Sequence, residues 1–173
     1  MTMTKPHFPF APVIFFIGAV MCLLSSVHSQ PVSLPVVGST FSLSAVNPDG
    51  VRFDSAVLRG NVSVVFFWSS GCAVCRDSLP ELRANQSGWR NKPFALLAVN
   101  VDRHAQDWLS YERVLGKIQT TPKGFFSVRQ DETLPTPVKL PLTLLVDAKG
   151  KVLQRIEGRV APEVWDSVAE LLL

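Results

Sequence analysis

The stretch that most constrains this chain is Val64-Val65-Phe66-Phe67-Trp68-Ser69-Ser70-Gly71-Cys72-Ala73-Val74-Cys75-Arg76. An apolar run without polar alternation suits a strand buried on both faces. Ser70-Gly71 marks the point where that strand gives way to a helix. Positions i and i+3 share a helix face, which brings Cys72 and Cys75 within the roughly 4.4–6.8 Å Cα separation that a disulfide needs. Cys72 falls at the helix N-terminus, where unpaired backbone N–H groups and the macrodipole favour a thiolate over a thiol. A buried strand running into C-x-x-C at a helix start is an arrangement for thiol–disulfide exchange.

The third cysteine, Cys22, lies in an N-terminal apolar segment, so the body of the chain holds this one pair. Lys5 supplies positive charge ahead of Phe8 to Leu24, which is uncharged throughout and unbroken from Val13. Ser25 to Pro31 is polar and turn-prone. That order is the order of a secretory signal, and Val27 and Ser29 place the cut between Ser29 and Gln30. The competing reading is a membrane anchor through residues 8–24, short for a span and interrupted by Pro9 and Pro12. A lipid anchor through Cys22 is opposed by the bulk of Met21. Each version exports residues 30–173 as one domain and predicts a periplasmic or otherwise extracytoplasmic location. An oxidising compartment leaves thiols reduced only where something recharges them.

A hydrophobic content of 47% is ample for a packed core. The net charge is +3, and removal of residues 1–29 deletes Lys5 and no acid, leaving 16 basic against 14 acidic residues. No basic cluster with interleaved aromatics appears, so nucleic acid has no support as a partner. Zinc fares no better: one C-x-x-C supplies two ligands where a structural site wants four. His7 and His28 lie in the N-terminal segment, and His104 reads as a surface loop residue. No metal is expected, and no cofactor beyond the redox-active Cys72–Cys75 pair.

Further elements follow in order. Thr40-Phe41-Ser42-Leu43 alternates as a half-buried strand, Asn47-Pro48-Asp49-Gly50 is a turn, and Val51-Arg52-Phe53 continues extended. Leu58-Arg59-Gly60-Asn61 turns the chain into the central strand. A helix is predicted from Ala73 to about Gln86, with Gly88 as its stop, Cys75, Leu79 and Leu82 facing inward and Pro80 in its interior. Phe94 to Val101 is a second buried strand, Trp108 to Leu115 a helix ended by Gly116, and Phe125 to Val128 a short strand. Thr133 to Pro141, with three prolines, resists regular structure. Leu142 to Val146 is a third buried strand, turned by Asp147 to Gly150 into Lys151 to Ile156. A closing helix starts at Pro162, with Val164, Trp165, Val168 and Leu172 inward.

This order resembles the thioredoxin fold, and more narrowly the exported TlpA/ResA/CcmG-type thiol–disulfide oxidoreductases. The resemblance rests on Phe41-Ser42-Leu43, Asp49-Gly50 and Leu58-Arg59-Gly60; on Phe67 to Arg76 with Leu79-Pro80-Glu81-Leu82; on Val99-Asn100-Val101-Asp102; and on Leu140 to Gly150. It implies an α/β domain with a central mixed β-sheet flanked by helices and an N-terminal β-hairpin extension. It also implies that Pro141 is cis, which reverses the trans preference of local sequence. Pro141 would then face the disulfide and offer the backbone of Leu140 to an extended peptide, with Pro137 a weaker claimant. Trp68 either borders that groove or is plain packing, and Ser69 and Ser70 are read as turn formers. The implied partners are protein thiols and disulfides, including apocytochrome c or a copper-site protein, and a membrane electron donor. The chain departs from the pattern at Gly71, where members usually carry Trp, at Ser78, where many carry Glu, and at Phe66, acidic in thioredoxin itself. Glu81 or solvent is left to take the proton from Cys75.

Cys72 is the predicted nucleophile, and Cys75 then displaces the captured partner. Val74, unlike a proline there, keeps its N–H as one more donor for Cys72. Ala73-Val74 brings no imidazolium, so nothing points to the oxidising end of the range of about −270 to −120 mV. A reductase is therefore expected ahead of a thiol oxidase or isomerase. The alternatives are a non-catalytic binding module and a structural disulfide without turnover. A peroxide-reducing relative would carry P-x-x-x-T/S-x-x-C near Cys72, and this chain does not.

Overall fold

The computed structural model describes residues 1–2, 34–118, 121–131 and 138–173. The predicted signal segment with Cys22, and residues 133–137 of the proline-rich stretch, Pro137 included, lie outside them.

Strand β1 is Ala45–Val46, β2 Val62–Trp68, β3 Phe94–Asn100, β4 Phe125–Gln130, β5 Leu142–Val146 and β6 Val152–Glu157. Helix α1 is Ala73–Gly88, α2 Ala105–Ile118 and α3 Pro162–Leu171. The strands form one sheet in the order β1-β4-β3-β2-β5-β6. The central three strands, β4, β3 and β2, are parallel, while β1, β5 and β6 join antiparallel. Both β2 and β3 are buried at every position, as strands covered on two faces have to be.

Alternation along β2 divides the core into two layers. Val62, Val64, Phe66 and Trp68 join Cys75, Leu79 and Leu82 of α1, Trp108 of α2, and Val164 and Val168 of α3. Val65 and Phe67 face the other way, against Phe41, Ala45, Leu58, Leu142, Leu144 and Val146. The three α-helices among the described residues thus pack on one face of the sheet. The opposite face is covered by the irregular segment that precedes β2, which includes a 3-10 turn at Ser55–Leu58 capped by Asp54.

Several boundaries differ from the sequence expectation. Thr40–Leu43 makes no strand: Thr40 forms an isolated bridge to Lys151, and regular pairing begins at Ala45. The hairpin survives as a single Val46–Arg52 bridge around the Asn47–Gly50 turn, where Asn47 Oδ1 accepts the Asp49 and Val51 amides. Helix α2 starts three residues earlier than expected and runs through Gly116 to Ile118. A glycine inside a helix costs about 1 kcal/mol without ending it. Strand β4 extends to Gln130 because β1 pairs with its last two residues, Arg129 and Gln130.

Candidate active site

The parallel register sets Trp68 opposite Asn100, and the antiparallel register sets Phe67 opposite Leu142. The C-terminal ends of β2 and β3 therefore meet the start of β5. Three segments converge at this end of the sheet: the Ser69–Cys75 turn, Asn100–Asp102, and Leu140–Pro141.

Cys72 is the N-cap of α1, with extended backbone at φ −88° and ψ 106°. Its Sγ accepts the backbone N–H of Cys75 at 3.2 Å, the place where a serine or aspartate oxygen sits in an ordinary helix cap. The donor is Cys75, three positions on, rather than Val74. Cys72 and Cys75 are joined in a disulfide with their Cα atoms 5.2 Å apart. Cys72 is half-buried while Cys75 is wholly buried, so the first sulfur alone is open to attack. Beside it Val74 stands 48% exposed, an apolar contact at the rim.

The turn that delivers Cys72 is tied to β3 by Asp102. Its carboxylate accepts the Ser69 hydroxyl, the Ser70 N–H at 2.9 Å and the Asn100 side-chain amide at 2.9 Å. The backbone N–H of Asp102 returns a bond to Asn100 Oδ1 at 2.9 Å. Ser69 Oγ in turn accepts the Gly71 N–H at 3.2 Å. The guanidinium of Arg76 donates to the Ser70 carbonyl, and that of Arg129 to the carbonyls of Asp102 and Arg103. Burial pulls the Asp102 carboxyl upward, but the bonds from Ser69, Asn100 and Ser70 outweigh it and hold the group below the ordinary carboxylate range.

Ser69 and Ser70 are therefore more than turn formers, and Asp102 is a residue of the site that the sequence reading passed over. The signal was present in Asn100-Val101-Asp102: polar residues closing a wholly buried strand, next to the end of the strand that carries the cysteines.

Trp68 requires a correction. It is 1% exposed and packs against Tyr111, with ring centroids 4.7 Å apart, so it lies beneath the site and borders no groove. Being one of the alternating residues of β2 that face the helices, it has no route to the surface. Burial pushes the Tyr111 phenol upward. The Leu140–Pro141 bond is cis, as expected. Pro141 is buried, its carbonyl accepting the Gly158 N–H at 2.8 Å, and Leu140 is half-buried against both core layers. Glu81 does not face Cys75. It is six residues on, roughly 120° round the helix, and pairs with Arg159 at 2.9 Å. Ser78 is buried and donates to the Val74 carbonyl at 2.8 Å. His104 is exposed. Among the described residues, no group of three His, Cys, Asp or Glu side chains could hold a metal.

The fold is thioredoxin-like. The thioredoxin domain of a thiol-disulfide oxidoreductase from Bacteroides vulgatus superposes with a TM-score of 0.63 at 21% identity, covering 82% of this chain and 100% of that one. A thiol:disulfide interchange protein of the thioredoxin family from Chlorobium tepidum TLS gives 0.58 at 23% identity, covering 82% and 99%. The pneumococcal exposed lipoprotein thioredoxin of Streptococcus pneumoniae gives 0.58 at 17%, covering 77% and 100%. No curated protein matches the sequence. The AhpC/TSA family model matches residues 37–164, from ahead of the hairpin into α3 and across both cysteines, and the chain belongs to that family.

Proposed function

We propose that this protein is an exported thiol–disulfide oxidoreductase of the TlpA/ResA/CcmG type, working as a reductase on protein partners. The observation that carries the reading is Cys72: a half-buried sulfur at a helix N-cap, receiving a backbone N–H and backed by a wholly buried partner sulfur. That N–H and the helix dipole favour the anionic form of the sulfur, the form that attacks disulfides.

In the reduced protein the Cys72 thiolate attacks a disulfide of the partner, forming a mixed disulfide and expelling one partner thiolate. Cys75 then attacks Cys72 Sγ, releasing the second partner thiolate, and two electrons have passed to the partner. Leu140, beside Pro141, presents backbone to an extended stretch of the partner, and Val74 gives it an apolar footing. A donor at the membrane restores the dithiol, since an isolated reductase in an oxidising compartment stops after one turnover. A structural neighbour described as a thiol:disulfide interchange protein supports the chemistry, and another described as an exposed lipoprotein thioredoxin supports the location. Apocytochrome c is one substrate such a reductase would serve.

Insulin reduction by dithiothreitol tests the activity. The wild-type protein should accelerate precipitation of the B chain, Cys72→Ser should not, and Cys75→Ala should accumulate the mixed disulfide. Equilibration in glutathione buffers tests the direction. A potential well below the glutathione pool supports a reductase, and one near about −120 mV defeats it.

A further inference from the structure

Thr143 sits in the second position of β5, and its side chain is wholly buried, with 0% exposure. Among the described residues its hydroxyl has no hydrogen-bond partner. Such a group has given up its bond to water without replacement, a cost that a valine of the same shape would not carry. An uncompensated hydroxyl in a packed strand asks what partners it in another state of the molecule.

The register gives the neighbourhood. Leu142, Leu144 and Val146 face the layer away from the helices, whereas Leu145 faces the layer that holds Cys75. Thr143, two residues before Leu145, points to that same side. Its cross-strand partner is Phe66, as Val64 is the partner of Leu145, and both belong to the layer around Cys75. The hydroxyl is thus aimed into the apolar layer that encloses the deeper sulfur.

We propose that Thr143 is a positioning residue for Cys75, its hydroxyl serving as the hydrogen-bond partner of the Cys75 sulfur once the disulfide is opened. This rests on the reading of the pair as redox-active. In the oxidised protein Cys75 Sγ is bonded to Cys72 and makes a poor acceptor. In the reduced protein it is a thiol or thiolate, shut off from water, and Thr143 Oγ1 can accept from the one or donate to the other. During resolution the Cys75 thiolate forms the S–S bond to Cys72 while the Cys72–partner S–S bond breaks. The electron pair leaves on the partner sulfur, which takes a proton from solvent, and Thr143 keeps its own. The hydroxyl lowers the cost of holding an anion at Cys75 before that step.

Among the described residues, the ionisable groups around this layer do not supply this role. Strands β2, β3 and β5 carry none. On α1, Glu81 pairs with Arg159, Arg76 bonds Ser70, Arg83 lies over the Phe125 ring, and Asp77 is exposed. Asp102 is held by the Ser69–Ser70 turn, and Tyr111 of α2, raised by burial, stays a neutral phenol at working pH.

The experiment compares Thr143→Val, which keeps the shape, with Thr143→Ser, which keeps the hydroxyl. The equilibrium constant of the Cys72–Cys75 pair with glutathione is measured directly on each protein. Thr143→Val should favour the disulfide by about tenfold, equivalent to about 30 mV, and Thr143→Ser should stay within about twofold of wild type. In a Cys72→Ser background, alkylation of Cys75 after denaturant-free pH jumps should show its apparent pKa raised by Thr143→Val and restored by Thr143→Ser. If the valine variant stabilises oxidised and reduced protein equally, leaving the glutathione equilibrium and the pH profile unmoved, the hydroxyl has only a structural cost and the proposal is wrong. Failure of insulin reduction by the wild type would instead count against the reductase reading, because the glutathione equilibrium needs no protein substrate.

Discussion

Asp102→Asn isolates the charge that holds the active-site turn. The variant keeps the shape of the side chain and its acceptor toward Ser69 and Ser70. Those two bonds become neutral, and a bond to a charged acceptor is worth about 1.5–3 kcal/mol against about 0.5–1.5 for a neutral one, so the pair loses about 2 kcal/mol. The new amide also stands against the side-chain N–H₂ of Asn100, donor against donor. Asn100 cannot turn over without surrendering the 2.9 Å bond it accepts from the Asp102 backbone. Asn100 is wholly buried, and an unsatisfied donor there adds about 1–3 kcal/mol. Water reaching the half-buried serines returns part of the loss, and the expected net destabilisation is about 2–4 kcal/mol. Urea unfolding of the oxidised protein at pH 7, with an unchanged slope, measures it. The pH dependence follows from the carboxyl being held below its unfolded value. The stability it brings is complete above the unfolded carboxylate range, near pH 4, and disappears as pH falls through the lower folded value. The gap between wild type and variant should therefore be full at neutrality and close in acid. A variant within about 0.5 kcal/mol of wild type at pH 7, or a gap that persists unchanged at about pH 2, would refute the assignment.

Gly124 has φ +82°, and a Cβ there would lie 2.9 Å from the Phe94 carbonyl oxygen, whereas Gly158, at φ +86°, faces open space. Gly158→Ala should cost about 1–2 kcal/mol and Gly124→Ala clearly more, by urea unfolding. Leu82→Ala opens a void between α1 and the sheet and should cost about 2–5 kcal/mol, with the glutathione equilibrium unchanged. Arg159→Ala removes an exposed ion pair with Glu81 and should change stability by less than about 1 kcal/mol, leaving insulin reduction intact. Loss of exchange in that last variant would return Glu81 to the proton path.

The elements that sequence made legible are those whose signal is local. The apolar run into Cys72 needs no partner to be read as a buried strand, and the i, i+3 spacing of the cysteines is a property of the helix alone. The cis bond at Pro141 was not local; it followed from resemblance. The Asp102 network was hidden because its bonds to Ser69 and Ser70 join residues more than thirty positions apart, and serine-glycine turns look alike whether or not a carboxylate holds them. Trp68 was ambiguous for a related reason: the last residue of a strand is surface or core according to what crosses over it, and here Tyr111 of α2 does. Thr40–Leu43 alternates as a strand should, yet an alternating segment without a paired neighbour stays a bridge.

Cys72 Sγ is the atom that caps α1, so each redox state of Cys72 is at the same time a state of the helix end. As a thiolate it is the strongest of its forms at holding the Cys75 amide; bonded to a partner's sulfur it is weaker. Fraying of the first turn is therefore set by chemistry at its tip, and amide exchange at Cys75 reports which species is present. Under the exchange proposed above, capture of a partner would loosen the turn that carries Cys75 and give the second thiol freedom to swing toward the mixed disulfide.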